Sequence, residues 1–518
     1  MSLALSRLNL ERTLCFLLKS FLFLFPWQTI WIYREVFVDG VKLEYATLGF
    51  YATEILLWIA VGVFVIWYWR VANTPPAPPC PPVPGVGRRV REGRLLITGF
   101  GIQFPSSEEG EGGVRCDKLK ITRDRVFVFA CLSLISYLFI SVTWSVDKSL
   151  ALQQSLHVLE AVLLFFMLMF GPLKFGEAVK WLALGAVLPA MLGIWQFFSQ
   201  STLAFKWLGL AEHIASNPGA SVVVGDEIGR WLRAYGTFSH PNVFGGYLVM
   251  VIVLMLFAHA KCEKLRKCEI TTFSIIYILI ISALFFSFSR SALLALIIVI
   301  LLNCFIVFWR KKYLSPITYH LSLIFLITII LSIILFPALK VRILTASPNE
   351  VTSVVERAQG FNESWEIFKD NLWLGVGTGN YTAYLQKTDP TRQPWEYQPV
   401  HNVGLLFLAE SGVVGVALLL FVVISLIIYH LSFIKIGRLK DCKIVRLQDY
   451  PFFIFYLLSP ISFISISYLT LAFFDHYLIS SYIGLALTGV FFGLAFKNAR
   501  TPEGAPLGEV VPNSSTAD

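Results

Sequence analysis

The stretch His401-Asn402-Val403-Gly404-Leu405-Leu406-Phe407-Leu408-Ala409-Glu410-Ser411-Gly412-Val413-Val414-Gly415 decides how the rest of this chain is read. A histidine and an asparagine stand where a long polar segment gives way to an apolar run. That run is long enough to span a bilayer. Inside it lie a carboxylate and small residues, where a lipid-facing helix carries Leu and Ile. Ionisable groups within a membrane segment are costly, and glycines let helices approach closely. The stretch marks a mouth at a membrane surface, and alone it names no reaction.

Working outward, the composition fits that setting. Of 518 residues, 56% are hydrophobic and 14% charged, against about 25% charged in soluble domains. The sequence predicts an all-α integral membrane protein with about twelve transmembrane helices, near 14–33, 46–69, 126–143, 151–171, 179–198, 243–259, 271–288, 292–309, 318–337, 403–429, 451–472 and 478–496. The first run reads as a retained helix, because Lys19 interrupts it and no small-residue cleavage site follows. The net charge of +9 lies in short Lys/Arg clusters between apolar runs, within 70–125, 261–267, 310–312 and 435–446. Counting helices puts every cluster on one side. This is the positive-inside pattern, so both termini are expected in the cytoplasm and nucleic acid is not an expected partner. Cys80, Cys116, Cys262, Cys268 and Cys442 fall in those same connections, as reduced cytosolic thiols would, and no CxxC pair points to zinc.

The expected organisation is 1–69 as N-terminal helices, 70–125 as a cytoplasmic Pro-rich basic insert, 126–500 as the main transmembrane domain and 501–518 as a disordered tail. Residues 74–85 form a stiff polyproline-like spacer, open to reading as a partner-docking segment. Within the main domain, a partly helical extracytoplasmic loop spans 338–402, with a helix expected from Val354 to Phe368. The glycines of Leu374-Gly375-Val376-Gly377-Thr378-Gly379-Asn380-Tyr381 look like a nucleotide loop, yet they lack its strand-turn-helix setting and its Lys-Ser/Thr. They read as a structural turn.

This topology gathers distant residues at one membrane face. Arg233 lies in Arg233-Ala234-Tyr235-Gly236-Thr237-Phe238-Ser239-His240-Pro241-Asn242, Arg290 in the tight hairpin Ser289-Arg290-Ser291, and His401 at the head of the tenth helix. Read singly, the arginines fit interfacial snorkelling, and His240 and His401 fit turn or helix caps. Together, with no paired acidic motif nearby, they favour a site for a lipid-borne phosphate, which suits the planar guanidinium fork. Glu54, Glu160 and Glu410 are each expected about 12 Å below that surface at 1.5 Å per residue, with His157 and Glu160 on one helix face. Either at least two of these carboxylates line an outward-opening cavity, or each is a separately satisfied packing group.

The blocks now on the page resemble a known family. His401-Asn402, nine residues, then Gly412-x-x-Gly415, with the Arg233–Asn242 block, Ser289-Arg290-Ser291 and the 357–380 segment in the same order, is similar to the O-antigen ligase/polymerase family of bacterial membrane proteins over roughly 125–497. The resemblance implies a GT-C-like, inverting, metal-independent glycosyltransferase without cofactor. Its donor would be a glycan on undecaprenyl pyrophosphate and its acceptor lipid A core, another glycan or a protein, at the outer face of the inner membrane. By motif position Arg233 and Arg290 would clamp the pyrophosphate, and His401 would act as general base. Asn402, His240, Asn242, Tyr235, Arg357 and Glu410 would contact substrate. The helices before 70, the Pro-rich insert and the tail have no assigned counterpart. A polymerase, a protein O-oligosaccharyltransferase and, in another class, a transporter of polyprenyl-linked glycan remain as alternatives. The absence of repeats and the outer-face position of the charges favour the enzyme.

Overall fold

The computed structural model describes residues 2–72, 111–217, 219–225, 228–260, 267–310, 315–344, 348–440 and 460–500. The Pro-rich spacer at 74–85, the tail from 501 and the cysteines at 80, 262 and 442 lie outside them. Out of water a chain must satisfy its own backbone N–H and C=O groups, so the apolar runs fold as helices. In chain order these are α1 (Ser2–Leu24), α2 (Ala52–Ala72), α3 (Glu111–Ser141), α4 (Lys148–Phe170), α5 (Phe175–Ser199), α6 (Pro241–Ala260), α7 (Lys267–Phe286), α8 (Arg290–Arg310) and α9 (Ser315–Ile334). They continue as α10 (Phe336–Leu344), α11 (Pro348–Asp370), α12 (Tyr381–Thr388), α13 (Val403–Lys440), α14 (Pro460–Phe474), α15 (Tyr477–Ser480) and α16 (Tyr482–Arg500).

Among the described residues, six helices are long and apolar enough to cross a membrane, and α9 with α10, bent by 83°, makes a seventh. Four shorter apolar helices accompany them. Helix α1, which carries Arg7, Glu11, Arg12 and Lys19, is not among the six. Two boundaries also move. The run 14–33 stops being helix at Leu24, ahead of Pro26, since the residue before a proline is driven out of the helical region; Ile30–Arg34 is instead a strand. Helix α3 starts at Glu111, inside the segment expected to be an insert.

The fold is mostly helical rather than purely so. Antiparallel ribbons pair β1 (Ile30–Arg34) with β4 (Leu48–Tyr51), β2 (Phe37–Val38) with β3 (Val41–Lys42), and β5 (Val222–Gly225) with β6 (Gly229–Leu232). All sit in connections at one end of the bundle, which also holds the described segments 200–217, 228–240, 348–402 and 475–481. We call this the looped end.

Helix α6 is the axis: 89% of its apolar window is buried, as expected of a helix that is hydrophobic on every side. Gly245 and Gly246 near its start let two hairpins close in on it. A Cβ at Gly245 would lie 2.8 Å from Ser289 Cβ, and one at Gly246 would collide with Tyr477. Leu14, Leu18, Phe21 and Leu22 of α1 share the buried cluster of α5 and α6, and Lys19 pairs with Glu177 at 2.8 Å. The N-terminal helices are part of the bundle.

One element is broken. Within α13, Gly412 has φ 60° and ψ −168°, a region that only glycine occupies readily. The segment before it threads into the gap: Val376 N–H donates to Ala409 O (3.1 Å), Gly377 N–H to Glu410 O (2.9 Å), and Val413 N–H to Leu372 O (2.9 Å). Tyr137 Oη donates to both Leu374 O and Ser411 O (2.9 and 2.7 Å). The glycine turn at 375–379 is thus the plug that satisfies a helix discontinuity.

Candidate functional site

Two helix hairpins and one helix start converge at the looped end of α6. The Ser287–Ser289 turn between α7 and α8 brings Arg290, the bend between α9 and α10 brings Arg342, and α11 crosses above with Arg357. Among the described residues, these three arginines with Asn242, Ser291, Leu294 and Phe474 line a cavity of about 210 Å³. Its lining holds three guanidinium groups and no carboxylate. A guanidinium keeps its charge at any working pH and presents a fork of donors, so such a cavity is built to receive an anion with several oxygens. Arg342 donates to Phe288 O at 3.2 Å, and Arg290 donates to Arg342 O at 3.4 Å, which ties the two walls together.

Beside the cavity, and joined to it through Asn242 and Phe474, is a second cluster. Asp475 is buried, accepting from Asn242 Nδ2 at 2.7 Å and from His476 N–H at 3.0 Å. His401 Nδ1 faces its Oδ1 at 3.6 Å, and the His401 side chain is 28% exposed. The His476 ring lies 5.0 Å from that of His401, centroid to centroid. Its Nδ1 meets Ser480 Oγ at 2.7 Å and its Nε2 meets Tyr45 Oη at 3.4 Å. His401 is the accessible member of a buried aspartate–histidine group.

The electrostatics follow from burial. Burial works to raise the Asp475 carboxyl, but the hydrogen bond with His401 and the charges of His476, His401 and His240 outweigh it and hold it below the usual carboxylate range. Burial, aided by Arg233, pushes His240 down to about 3. Burial, with His401 beside it, pushes His476 down to about 4. Neutral imidazoles at 240 and 476 leave His401 as the partner of the Asp475 carboxylate.

The structure brings some of the sequence candidates together and sets others aside. Arg290, Arg357 and Asn242 line the cavity, and His401 stands next to it. Arg233 does not line it. Its guanidinium is buried behind Asn242, donating to Asn242 Oδ1 at 2.6 Å and from Nε to Ser287 O at 2.7 Å. It holds the asparagine that holds Asp475. Asn402 is a helix cap: its Oδ1 accepts from Leu405 N–H at 2.9 Å and its Nδ2 donates to Phe473 O at 3.0 Å. Tyr235 is also engaged, accepting from Ser221 N–H at 2.7 Å and stacking on His213 at 4.3 Å. His240 Nδ1 accepts from Asn242 N–H at 3.1 Å. Glu410 turns away from the cavity, toward Gly379 N–H (2.8 Å) and Tyr381 N–H (3.3 Å), and its carboxylate anchors the glycine turn. None of these last four uses its side chain to line the cavity.

Of the three intramembrane carboxylates, Glu54 and Glu160 meet each other while Glu410 stays apart. Three residues escaped the sequence reading. Arg342 hides in the short amphipathic turn after Pro337. Asp475-His476 fills a tight connection between two apolar runs, the same signal that singled out Arg290. For a metal, His401, Asp475 and His476 offer ligand atoms within 4.8 Å of one another, and so do Glu54, His157 and Glu160.

Residues 275–420 match the family model described as O-antigen ligase. No curated protein matches the chain. The matched segment runs from α7 to α13 and carries Arg290, Arg342, Arg357, the glycine turn and His401, while Asn242 and Asp475 reach the site from outside it. Residues 275–420 of this membrane protein are thus similar to the family that its sequence blocks resemble.

Proposed function

We propose that this protein transfers a glycan from a polyprenyl pyrophosphate donor to an acceptor hydroxyl, at the outer face of the membrane in which α6 is buried. The observation that carries the reading is the pairing of a three-arginine cavity with an accessible histidine backed by a buried aspartate. In this reaction the acceptor oxygen attacks the anomeric carbon, and the bond from that carbon to the pyrophosphate oxygen breaks with inversion. His401 takes the proton from the acceptor hydroxyl as the new bond forms, with Asp475 holding the imidazole in register. The pyrophosphate departs with negative charge on its oxygens, which Arg290, Arg342 and Arg357 are placed to stabilise. The looped end would face away from the cytoplasm, in keeping with the positive-inside pattern of the sequence.

The test is transfer by the purified full chain, with undecaprenyl-pyrophosphate glycan as donor and lipid A core, a second lipid-linked glycan or a protein as acceptor. Product and released undecaprenyl pyrophosphate are both measured. Arg290→Ala and His401→Ala, with unchanged elution and melting, are expected to lower transfer by about 10²–10³-fold, the scale of losing one preorganised charge or base. Full transfer in either variant would remove that residue from the reaction. Movement of intact donor across a bilayer, with no pyrophosphate released, would replace the enzyme by a transporter.

A further inference from the structure

A second polar cluster lies outside the matched segment and takes no part in the proposed chemistry. Glu54, at the head of α2, meets His157 and Glu160, one turn apart on α4. All three side chains are more than nine-tenths buried, and their ligand atoms lie within 4.8 Å of one another. One oxygen of each carboxylate is fixed by a neutral donor. Tyr51 N–H reaches Glu54 Oε1 at 3.0 Å, and Trp58 Nε1–H reaches Glu160 Oε1 at 2.7 Å. Glu160 Oε2 and His157 Nε2 have no hydrogen-bond partner among the described residues, the latter standing 3.6 Å from Glu54 Oε1. Neither carboxylate pairs with a guanidinium or an ammonium among those residues.

Two buried carboxylates without a cationic partner are among the costliest arrangements a membrane helix pair can hold. One shared proton would still leave one charge, and a proton on His157 to meet it would spend the imidazole lone pair. A divalent ion balances both and gives the imidazole lone pair a partner. We propose that Glu54, His157 and Glu160 bind a divalent transition-metal ion of the zinc or manganese class, which clasps α2 to α4. One imidazole and two carboxylates form a ligand set such ions accept. Bond lengths of about 2.0–2.2 Å require the three ligand atoms to close in by about an ångström, within reach of side-chain rotation. Tyr51 N–H and Trp58 orient the carboxylates, as outer hydrogen bonds do at metal centres. The Tyr482 ring lies 5.3 Å from that of His157 and stacks on Tyr51 at 4.8 Å, so α16 closes the site from the far side. The ion's task is structural: it ties the N-terminal helices and the β1–β4 ribbon to the ligase bundle.

The test uses the purified full chain, stripped with EDTA and dialysed against Zn²⁺ or Mn²⁺. Retained metal is measured by mass spectrometry, and the ligand set by X-ray absorption. One equivalent is expected in the wild type and in Asp475→Asn, with scattering from a single imidazole. Glu160→Gln is expected to lose the ion, and loading is expected to raise the Tm of the wild type and not of that variant. The proposal is overturned by a wild type that retains no metal, by a Glu160→Gln protein that retains it, or by loss in Asp475→Asn, which would assign the ion to the His401 cluster. Should Glu160→Gln fail to fold, His157→Gln and the wild-type absorption spectrum decide: two-imidazole scattering would sink the site, and one-imidazole scattering with carboxylate oxygens would keep it.

Discussion

Two polar regions at the looped end look alike in sequence and behave differently in space. At the break in α13 the freed carbonyls and the buried carboxylate are answered from within. The carbonyls of Ala409 and Glu410 accept from 376 and 377, and Glu410 itself accepts from 379 and 381. At the cavity, three guanidiniums converge on a space that no carboxylate lines among the described residues. The first region closes on itself and the second opens on a cavity. A charge in an apolar stretch marks architecture when it anchors backbone alone, and marks a candidate ligand site when several of one sign converge on one cavity.

The sharpest way to break this contrast is at Gly412. A Cβ there would sit 2.5 Å from Trp373 O and 2.7 Å from Gly375 N, both backbone, on a φ of +60°. Gly412→Ala is expected to cost at least about 3 kcal/mol, from strain and collision together. Loss of folded protein on size exclusion is the readout; a normally melting variant would mean that the break is not a fixed feature. On the cavity side the expected signature is the reverse. Arg342→Ala should lower kcat/KM for transfer by about 10²-fold, roughly 2.7 kcal/mol. Unchanged transfer would show that Arg342 only braces the wall through Phe288 O. Glu410→Gln comes next in size. It should lower stability by about 1–3 kcal/mol through weaker bonds to the glycine turn and leave transfer per folded molecule near wild type. A large loss of kcat with normal melting would return Glu410 to the substrate.

How much of this was legible beforehand follows the same division. Local signals carried the helices, the tight Arg290 hairpin and the reading of the 375–379 glycines as a turn, because hydropathy and backbone permissiveness are written residue by residue. The partner of that turn was not legible, since nothing at 375–379 says that its N–H groups meet carbonyls 33 residues later. Arg233, Asn402 and Tyr235 were singled out for chemistry because their types suit it. Only three-dimensional pairing shows that Ser287 O, Phe473 O and Ser221 N–H already engage them. Asp475-His476 could have been found, as a charged pair in a short connection carries the same warning as Arg290. Arg342 could not, because a single basic residue after a proline at a helix bend has many ordinary readings.

The smallest effect concerns acid sensitivity, and it probes whether the His401 side of the comparison is as buried as its hydrogen bonds imply. His476 is held down to about 4 by burial and by His401, against an unfolded value near 6.5. Its neutral form is the one the fold favours. As pH falls below about 6.5 the unfolded chain gains a proton that the folded chain refuses, so stability present at neutral pH is lost progressively and levels off near pH 4. Asp475 has the same sign in a lower window: held below the carboxylate range, its contribution is intact above about pH 4 and is lost only in stronger acid. Between pH 7 and 4.5 the buried histidines, His476 and His240, therefore set the slope. We expect Tm to drop over that interval by the equivalent of about 1 kcal/mol per buried histidine once water at the rim is allowed for. His476→Gln, which keeps a hydrogen-bonding side chain for Ser480 and Tyr45, should flatten the slope while leaving Tm at pH 7.5 nearly unchanged. A variant with the wild-type slope would show that water already reaches this ring, and that the aspartate–histidine group is as open to solvent as the cavity beside it.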